Sequence, residues 1–416
     1  MNTAEKIRAS VAALGKGPLN EEGIARHIAP LFSEVLATER IYLANHSLGR
    51  PLDAMADDVA EAASLWYRKM GDAWDDWLAE REAFRWRMAR LIGAERPDCV
   101  VPKTAAGQGL RAVLNALGER PRVIATRGEF DSTDVILKQY AALGRAEVRW
   151  VEPDEKGEFG VQTLIAEAVH GADLVVVSKV MYQTAQIVEQ ISDLATVCHQ
   201  HGARLLVDAY HAVGVIPMDA QAMGADFLTG GSYKYLRGGP GAGYLYVSPA
   251  ALESGLRPLD TGWFAKAEFF SFERPDAPLL KACGDAFLEG TPPVLTWYQA
   301  RSGQEFTLAV GVDRLRKYGL EQLQALRGYL AESGVEDVTG GDARHGAFLA
   351  VRMKAPNVMV KALAKQGIDC DARGEWLRLC PDCLTRDEAL RWTAEAMGNL
   401  LHAREDSRKK ISSNSR

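Results

Sequence analysis

Between residues 122 and 248 the chain alternates short apolar runs with amphipathic stretches, and this constrains the fold more than any other feature. RVIAT (122–126), EVRWVE (147–152), DLVVVSKV (173–180), RLLVDA (204–209), ADFLTG (225–230) and GYLYVS (243–248) read as strands. STDVILKQYAALG and ISDLATVCHQHG between them read as helices, the second with Ser192 and Asp193 as cap candidates and Gly202 as its stop. GLRAVLNALGER reads as another helix, after a loop at 103–108. Strands and helices in alternation predict an α/β fold, a mostly parallel sheet with helices on both faces.

In such sheets ligands sit beyond the carboxyl ends of the strands. Arg127, Gly128, Glu129 and Phe130 follow the first of these strands, and Tyr182 and Gln183 follow DLVVVS. Asp208 and His211 follow RLLV, while Ser232, Tyr233 and Lys234 follow ADFLTG. One rim therefore gathers an aromatic ring, a carboxylate, an imidazole, a phenol and an amine. Lys234 stands in a Gly/Ser-rich loop, GGSYKYLRGGPG, and Asp208 closes an apolar strand. A lysine able to form a Schiff base and a buried carboxylate to hold a pyridinium proton are what pyridoxal 5′-phosphate (PLP) chemistry needs.

The rest of the chain narrows the alternatives. The net charge of −6 and the lack of a basic stripe argue against nucleic acid as a partner. No run of 18 apolar residues predicts a transmembrane helix, and MNTAEKIRASVAALGKG suits a short amphipathic helix rather than a signal peptide. Six scattered cysteines, at 99, 198, 283, 370, 380 and 383, do not form a disulfide framework, so the cytoplasm is the expected location. Cys380-Pro-Asp-Cys383 spells CxxC, but without a second pair or a nearby histidine it reads as structural thiols, and no metal site is expected.

The expected organisation is an N-terminal helical arm (1–40), a large α/β domain (41–295), a smaller α+β domain (296–404) and a disordered tail (405–416). In the smaller domain VDRLRKYGLEQLQALRGYLAE, PNVMVKALAKQG and RDEALRWTAEAMGNLLHARE read as helices flanking the strands GAFLAVRM and WLRLC.

Taken in order, IYLANHSLGRP, MGDAWDDW, RMARLIGA, GEFDSTD, VDAYHAVG, GGSYKYLRGGPG, GTPP and DARGEWLRL resemble fold-type I PLP enzymes of the class V aminotransferase group, and within it bacterial kynureninases. The resemblance runs from about residue 40 to 400. It implies a PLP-dependent hydrolase that cleaves the Cβ–Cγ bond of kynurenine or a related amino acid, with a class V aminotransferase or lyase as the alternative. It also implies a homodimer with active sites at the interface.

By the same resemblance Lys234 binds the cofactor and moves the Cα proton, Asp208 holds the pyridinium proton, His211 lies near the cofactor, and Phe130 stacks on its ring. Tyr233 contacts the phosphate and relays a proton. Thr104, Ala105 and Ala106, ahead of a helix, cradle the phosphate. Trp263 and Thr291 reach the neighbouring protomer's cofactor. Arg378 takes the substrate carboxylate, with Arg373 as a competitor, and Ser47 and Trp74 join the substrate site. The chain departs from the family pattern in three places. Ala105 and Ala106 stand where hydroxyls are common, Thr133 replaces an aspartate after Phe130, and Pro381-Asp382-Cys383-Leu384 replaces a proline-leucine-tyrosine element.

Overall fold

The structure, a computed structural model, describes residues 3–413, with side chains described through 403. A two-residue strand β1 (Ile41–Tyr42) precedes the strands of the main sheet: β2 (Val100–Lys103), β3 (Arg122–Thr126), β4 (Glu147–Val151), β5 (Leu174–Ser178), β6 (Arg204–Asp208), β7 (Phe227–Gly231) and β8 (Gly243–Val247). Their order is β2-β8-β7-β6-β5-β3-β4. β4, β3, β5, β6 and β7 pair in parallel, while β8 pairs antiparallel with both β7 and β2.

β5, β7 and β8 are buried along their whole length, so they carry apolar residues without alternation. Helices cover both faces, giving one core around Val175, Val177, Leu205 and Val207 and another around Val123, Val176, Leu206 and Phe227. All six strands read from the sequence are present. β2 is not among them, because Pro102 and Lys103 interrupt its apolar run.

The smaller domain holds β9 (Val338–Thr339), β10 (Leu349–Arg352), β11 (Ile368–Asp369), β12 (Asp371–Arg373) and β13 (Trp376–Leu379). Four of them form an antiparallel sheet, β12-β13-β10-β9, while β11 pairs in parallel with β1. Leu43 is buried in this domain's core with Leu326, Leu349 and Leu377. The start of the expected large domain therefore packs with the small one, through pairing with a strand far away in sequence.

The other expected boundary also moves. The helix Val294–Val310 packs against the helices Ala54–Lys69 and Ala73–Ile92 and against the N-terminal arm, not within the smaller domain. Ile7, Val11, Ile28 and Phe32 of the arm form a core with Phe306 and Val310. The final helix, Asp387–Ser413, runs through positions 405–413, where a disordered tail was expected. Leu390, Ala394 and Met397 are buried and anchor its first half. The arm's first two residues and the last three of the tail lie outside the described residues.

Candidate active site

A cavity enclosing about 780 Å³, partly open to solvent, lies at the carboxyl ends of β2, β3, β5, β6 and β7. Lys234, in the turn after β7, sends its side chain into it and is 5% exposed. Two close backbone approaches hold this turn. Gly49 donates its amide to the Tyr233 carbonyl (2.8 Å), and a Cβ on Gly49 would fall 1.9 Å from the Lys234 carbonyl oxygen. At Gly231 a Cβ would meet the Tyr210 hydroxyl at 2.1 Å. A side chain at Gly49 would push the lysine loop outward, and one at Gly231 would push into the Tyr210 ring.

The Lys234 Nζ is in hydrogen-bond contact with Nε2 of His211 at 2.7 Å. It also lies 4.7 Å from the ring centre of Tyr210, 5.2 Å from that of Phe130 and 5.7 Å from that of Tyr233. Burial pushes its pKa down to about 7, against the opposing pull of Asp208. Burial and the neighbouring Lys234 charge push His211 well below its ordinary value, so the imidazole is neutral. Asp208 is buried, with Oδ1 accepting from the Tyr210 amide at 2.8 Å. Burial raises the Tyr233 phenol, and Asp208 adds to the shift.

At another wall of the cavity the helix Ala106–Ala116 begins. Its small first residues, Ala106 and Gly107, line the cavity, and the amides of a helix's first turn have no partner within the helix. Thr104 also lines the cavity, but its amide and hydroxyl both donate to Gln108 Oε1, at 2.9 and 3.1 Å. Glu289 Oε1 in turn accepts from Gln108 Nε2 and from Lys103 Nζ, both at 2.9 Å, tying the loop before GTPP to this helix end.

Thr104, Ala105, Ala106, Phe130, Asp208, His211, Tyr233 and Lys234 thus come together. Tyr182, placed on the rim by its strand end, also lines the cavity, and Ser132, Thr133, Ser178 and Tyr210 join it without having been assigned a role from the sequence. The strand-end rule alone would have found Ser178, the last residue of β5.

The other expected residues lie apart. Arg378 is buried and clamped by Asp371, with Nε–Oδ1 at 2.8 Å and Nη2–Oδ2 at 2.6 Å. Its Nη1 donates to the Tyr182 carbonyl at 2.5 Å, so it touches the cavity wall from behind. Asp371 also binds His46 Nε2 (2.6 Å) and accepts from the Ser47 hydroxyl (2.5 Å). Burial opposes its ionisation, yet His46 and Arg378 together hold Asp371 well below the usual carboxylate range. Arg373 sits at the edge of this cluster, 3.6 Å from Asp371 and 42% exposed in its side chain.

Trp74, Trp263 and Thr291 do not reach the cavity of their own chain. Trp74 packs against Trp77, Phe264 and Phe270, and Trp263 against Phe264, Phe269 and Phe270. Thr291 is exposed. The CxxC cysteines are both buried; burial raises both thiols, Cys383 to about 11.

A match to the aminotransferase class-V family spans residues 49–376. The chain belongs to that family. Among similar class V proteins, an uncharacterized aminotransferase of Bacillus subtilis (strain 168) is 27% identical over 81% of this chain and 89% of its own length. Kynureninase of Pseudomonas fluorescens is 28% identical over 83% of this chain and 85% of its own. A solved cysteine desulfurase from Thermococcus onnurineus NA1 shares the fold, with a TM-score of 0.75 and 20% identity over 89% of this chain and 96% of that one.

This class V chain is PLP-dependent, and the cavity fits the cofactor. An amine, a buried carboxylate, a flat ring and a helix N-terminus with small residues surround one space. No helix among the described residues is long and apolar enough to cross a membrane, and no group of three His, Cys, Asp or Glu among them is placed to hold a metal.

Proposed function

We propose that the protein is a kynureninase-like hydrolase that cleaves the Cβ–Cγ bond of kynurenine or a closely related amino acid, with water, to anthranilate and alanine. Bound PLP supplies the electron sink for the bond pair released at the substrate Cα. Lys234 carries the cofactor and then takes the Cα proton, a task suited to an amine whose pKa is pushed down to about 7. Neutral His211 accepts from its Nζ and keeps it aimed inward. Asp208 holds the ring-nitrogen proton, and Phe130 covers the ring face. The first-turn amides of Ala106 and Gly107 hold the phosphate. Arg378, held by Asp371 just behind the cavity wall, is assigned the substrate carboxylate, which it would reach once its Nη1 leaves the Tyr182 carbonyl.

The observation that carries this reading is the pairing of Lys234 with Tyr233 on one loop, the phenol ring centre 5.7 Å from Nζ. Hydrolytic C–C cleavage moves protons at Cα, at the γ-carbonyl oxygen and at Cβ, so two neighbouring acid/base groups serve it well. The kynureninase relatives add support. Adding kynurenine to PLP-loaded protein and following anthranilate fluorescence is the test; no signal at saturating substrate sinks the assignment.

The rival is a class V aminotransferase or lyase acting on another amino acid, favoured by the likeness to the Bacillus subtilis aminotransferase. An aminotransferase would leave the cofactor in its amine form after one half-reaction, visible by absorbance. Desulfurase chemistry is disfavoured by Cys370, the candidate nucleophile. It is buried beside β11 and its thiol is pushed up to about 12 by burial, with Asp371 adding to the shift.

The working unit is proposed to be a cytoplasmic homodimer. Phe270, Phe272 and Leu279 are 47%, 70% and 71% exposed around Trp263. The Phe264 amide bonds to the Glu289 carbonyl, so this aromatic surface adjoins the loop carrying Thr291. A second copy covering that surface would bring Trp263 and Thr291 to its partner's cofactor.

A further inference from the structure

Beneath the cavity floor lies a second buried carboxyl that takes no part in the chemistry above. Glu129, in the turn after β3, is 3% exposed and makes no ion pair among the described residues. Its Oε1 accepts from the Thr126 hydroxyl at 2.6 Å and from the Ser178 amide at 3.1 Å. Thr126 Oγ1 itself accepts from the Gly128 amide, so its proton points to Glu129. The other oxygen, Oε2, has one partner, the Ser178 hydroxyl at 2.6 Å. That bond works in either direction. An ionised Glu129 takes the Ser178 proton, whereas a protonated one donates to Ser178. Ser178 lines the cavity and is the register neighbour of Asp208 across β5 and β6.

We propose that Glu129 is a positioning residue that works as a neutral acid. Its Oε2–H donates to Ser178 and leaves the serine's own proton for the cavity side, where Asp208 is its register neighbour across β5 and β6.

The surroundings favour this state. Only neutral groups, Thr126 on the turn and Ser178 on β5, touch the carboxyl. The charge facing it is Asp208 on β6, with Lys234 beyond. Burial pushes Glu129 up to about 7 and Asp208 adds to the shift, against the opposing hydrogen bonds from Ser178 and Thr126. With Glu129 neutral, a single negative charge lies under the cofactor ring. Ionising it adds a second and turns the Ser178 proton back toward Glu129, away from the cavity. The inference rests on the cavity being the cofactor site, not on which amino acid is cleaved.

The cofactor-free protein provides the first test. Infrared spectra of wild type minus E129Q should show a protonated carboxyl band that disappears as pH rises through about 7. Because an acid with a raised folded pKa loses stability as pH rises, E129Q should gain on wild type from about 4.5 to about 7. A carboxylate band already present at pH 5, or parallel stability curves, would overturn the neutral state. If E129Q does not fold, carbon-13 labelling of glutamate in wild type and S178A reads the same band. The link to Asp208 is tested in the PLP-loaded protein, whose absorbance should show an inflection near 7 in wild type and none in E129Q. Matching titrations would refute that link while leaving the infrared result to decide the protonation state.

Discussion

The amine of Lys234 and Nε2 of His211 lie 2.7 Å apart in a space that water barely reaches. Two cations at that separation would repel strongly, and burial pushes both groups toward their neutral forms. The lysine is thereby kept as a base and nucleophile near neutral pH.

K234M should bind PLP without a covalent link and lose activity by at least about 10³-fold, since in the proposed reaction Lys234 both holds the cofactor and moves the proton. Borohydride treatment followed by peptide mass analysis should give a pyridoxyl adduct on Lys234 in wild type and none in K234M. An adduct on a different lysine would move the site.

The same variant should stabilise the cofactor-free protein near pH 7. The Lys234 pKa falls from 10.5 to about 7 on folding, so the unfolded chain binds more protons between those values. Wild-type stability therefore rises with pH across that window. The advantage of K234M, about 5 kcal/mol at most, is full below pH 7 and shrinks as pH approaches 10.5. Urea unfolding at several pH values reads it, and an advantage that does not change with pH would contradict the buried-lysine account.

Removing Asp371 should cost far more than its place at the cavity's edge suggests. D371A leaves Arg378 buried without its bidentate partner and frees His46 and Ser47. A loss of about 3 kcal/mol is expected, together with a raised KM for substrate. Since the folded Asp371 pKa is held low, its contribution is present above its unfolded value near 4 and fades only as pH falls further. Unfolding curves that coincide at pH 7 would show that the clamp contributes nothing.

F272D should interfere with dimer formation, because Phe272 is 70% exposed within the aromatic surface around Trp263. Sedimentation should show a shift to monomer with parallel loss of activity, while circular dichroism stays unchanged. A fully active monomer would show that Trp263 and Thr291 contribute nothing across chains.

Five of the six strands from β3 to β8 were legible as apolar runs buried within the sheet, and the edge strand β4, where only Val151 is buried, as a short run carrying Val148, Trp150 and Val151. The rim residues Phe130, Asp208, His211, Tyr233 and Lys234 were legible because strand ends mark the ligand face. Glu129 was visible at the same rim, yet nothing local revealed its bonds to Ser178, which is 49 residues further on.

Local chemistry determined which residues gather at the cavity: a lysine in a small-residue loop, a carboxylate at a strand end and a helix start without bulky side chains all depend on near neighbours. Contacts between distant segments decided the rest. Ile41 pairs with Ile368, Asp371 collects His46 and Ser47 from more than 320 positions away, and Trp74 settles among aromatic rings instead of at the cavity. Such pairings depend on how whole domains close over one another, and a hydrophobic pattern read along one segment carries no record of what will be packed against it.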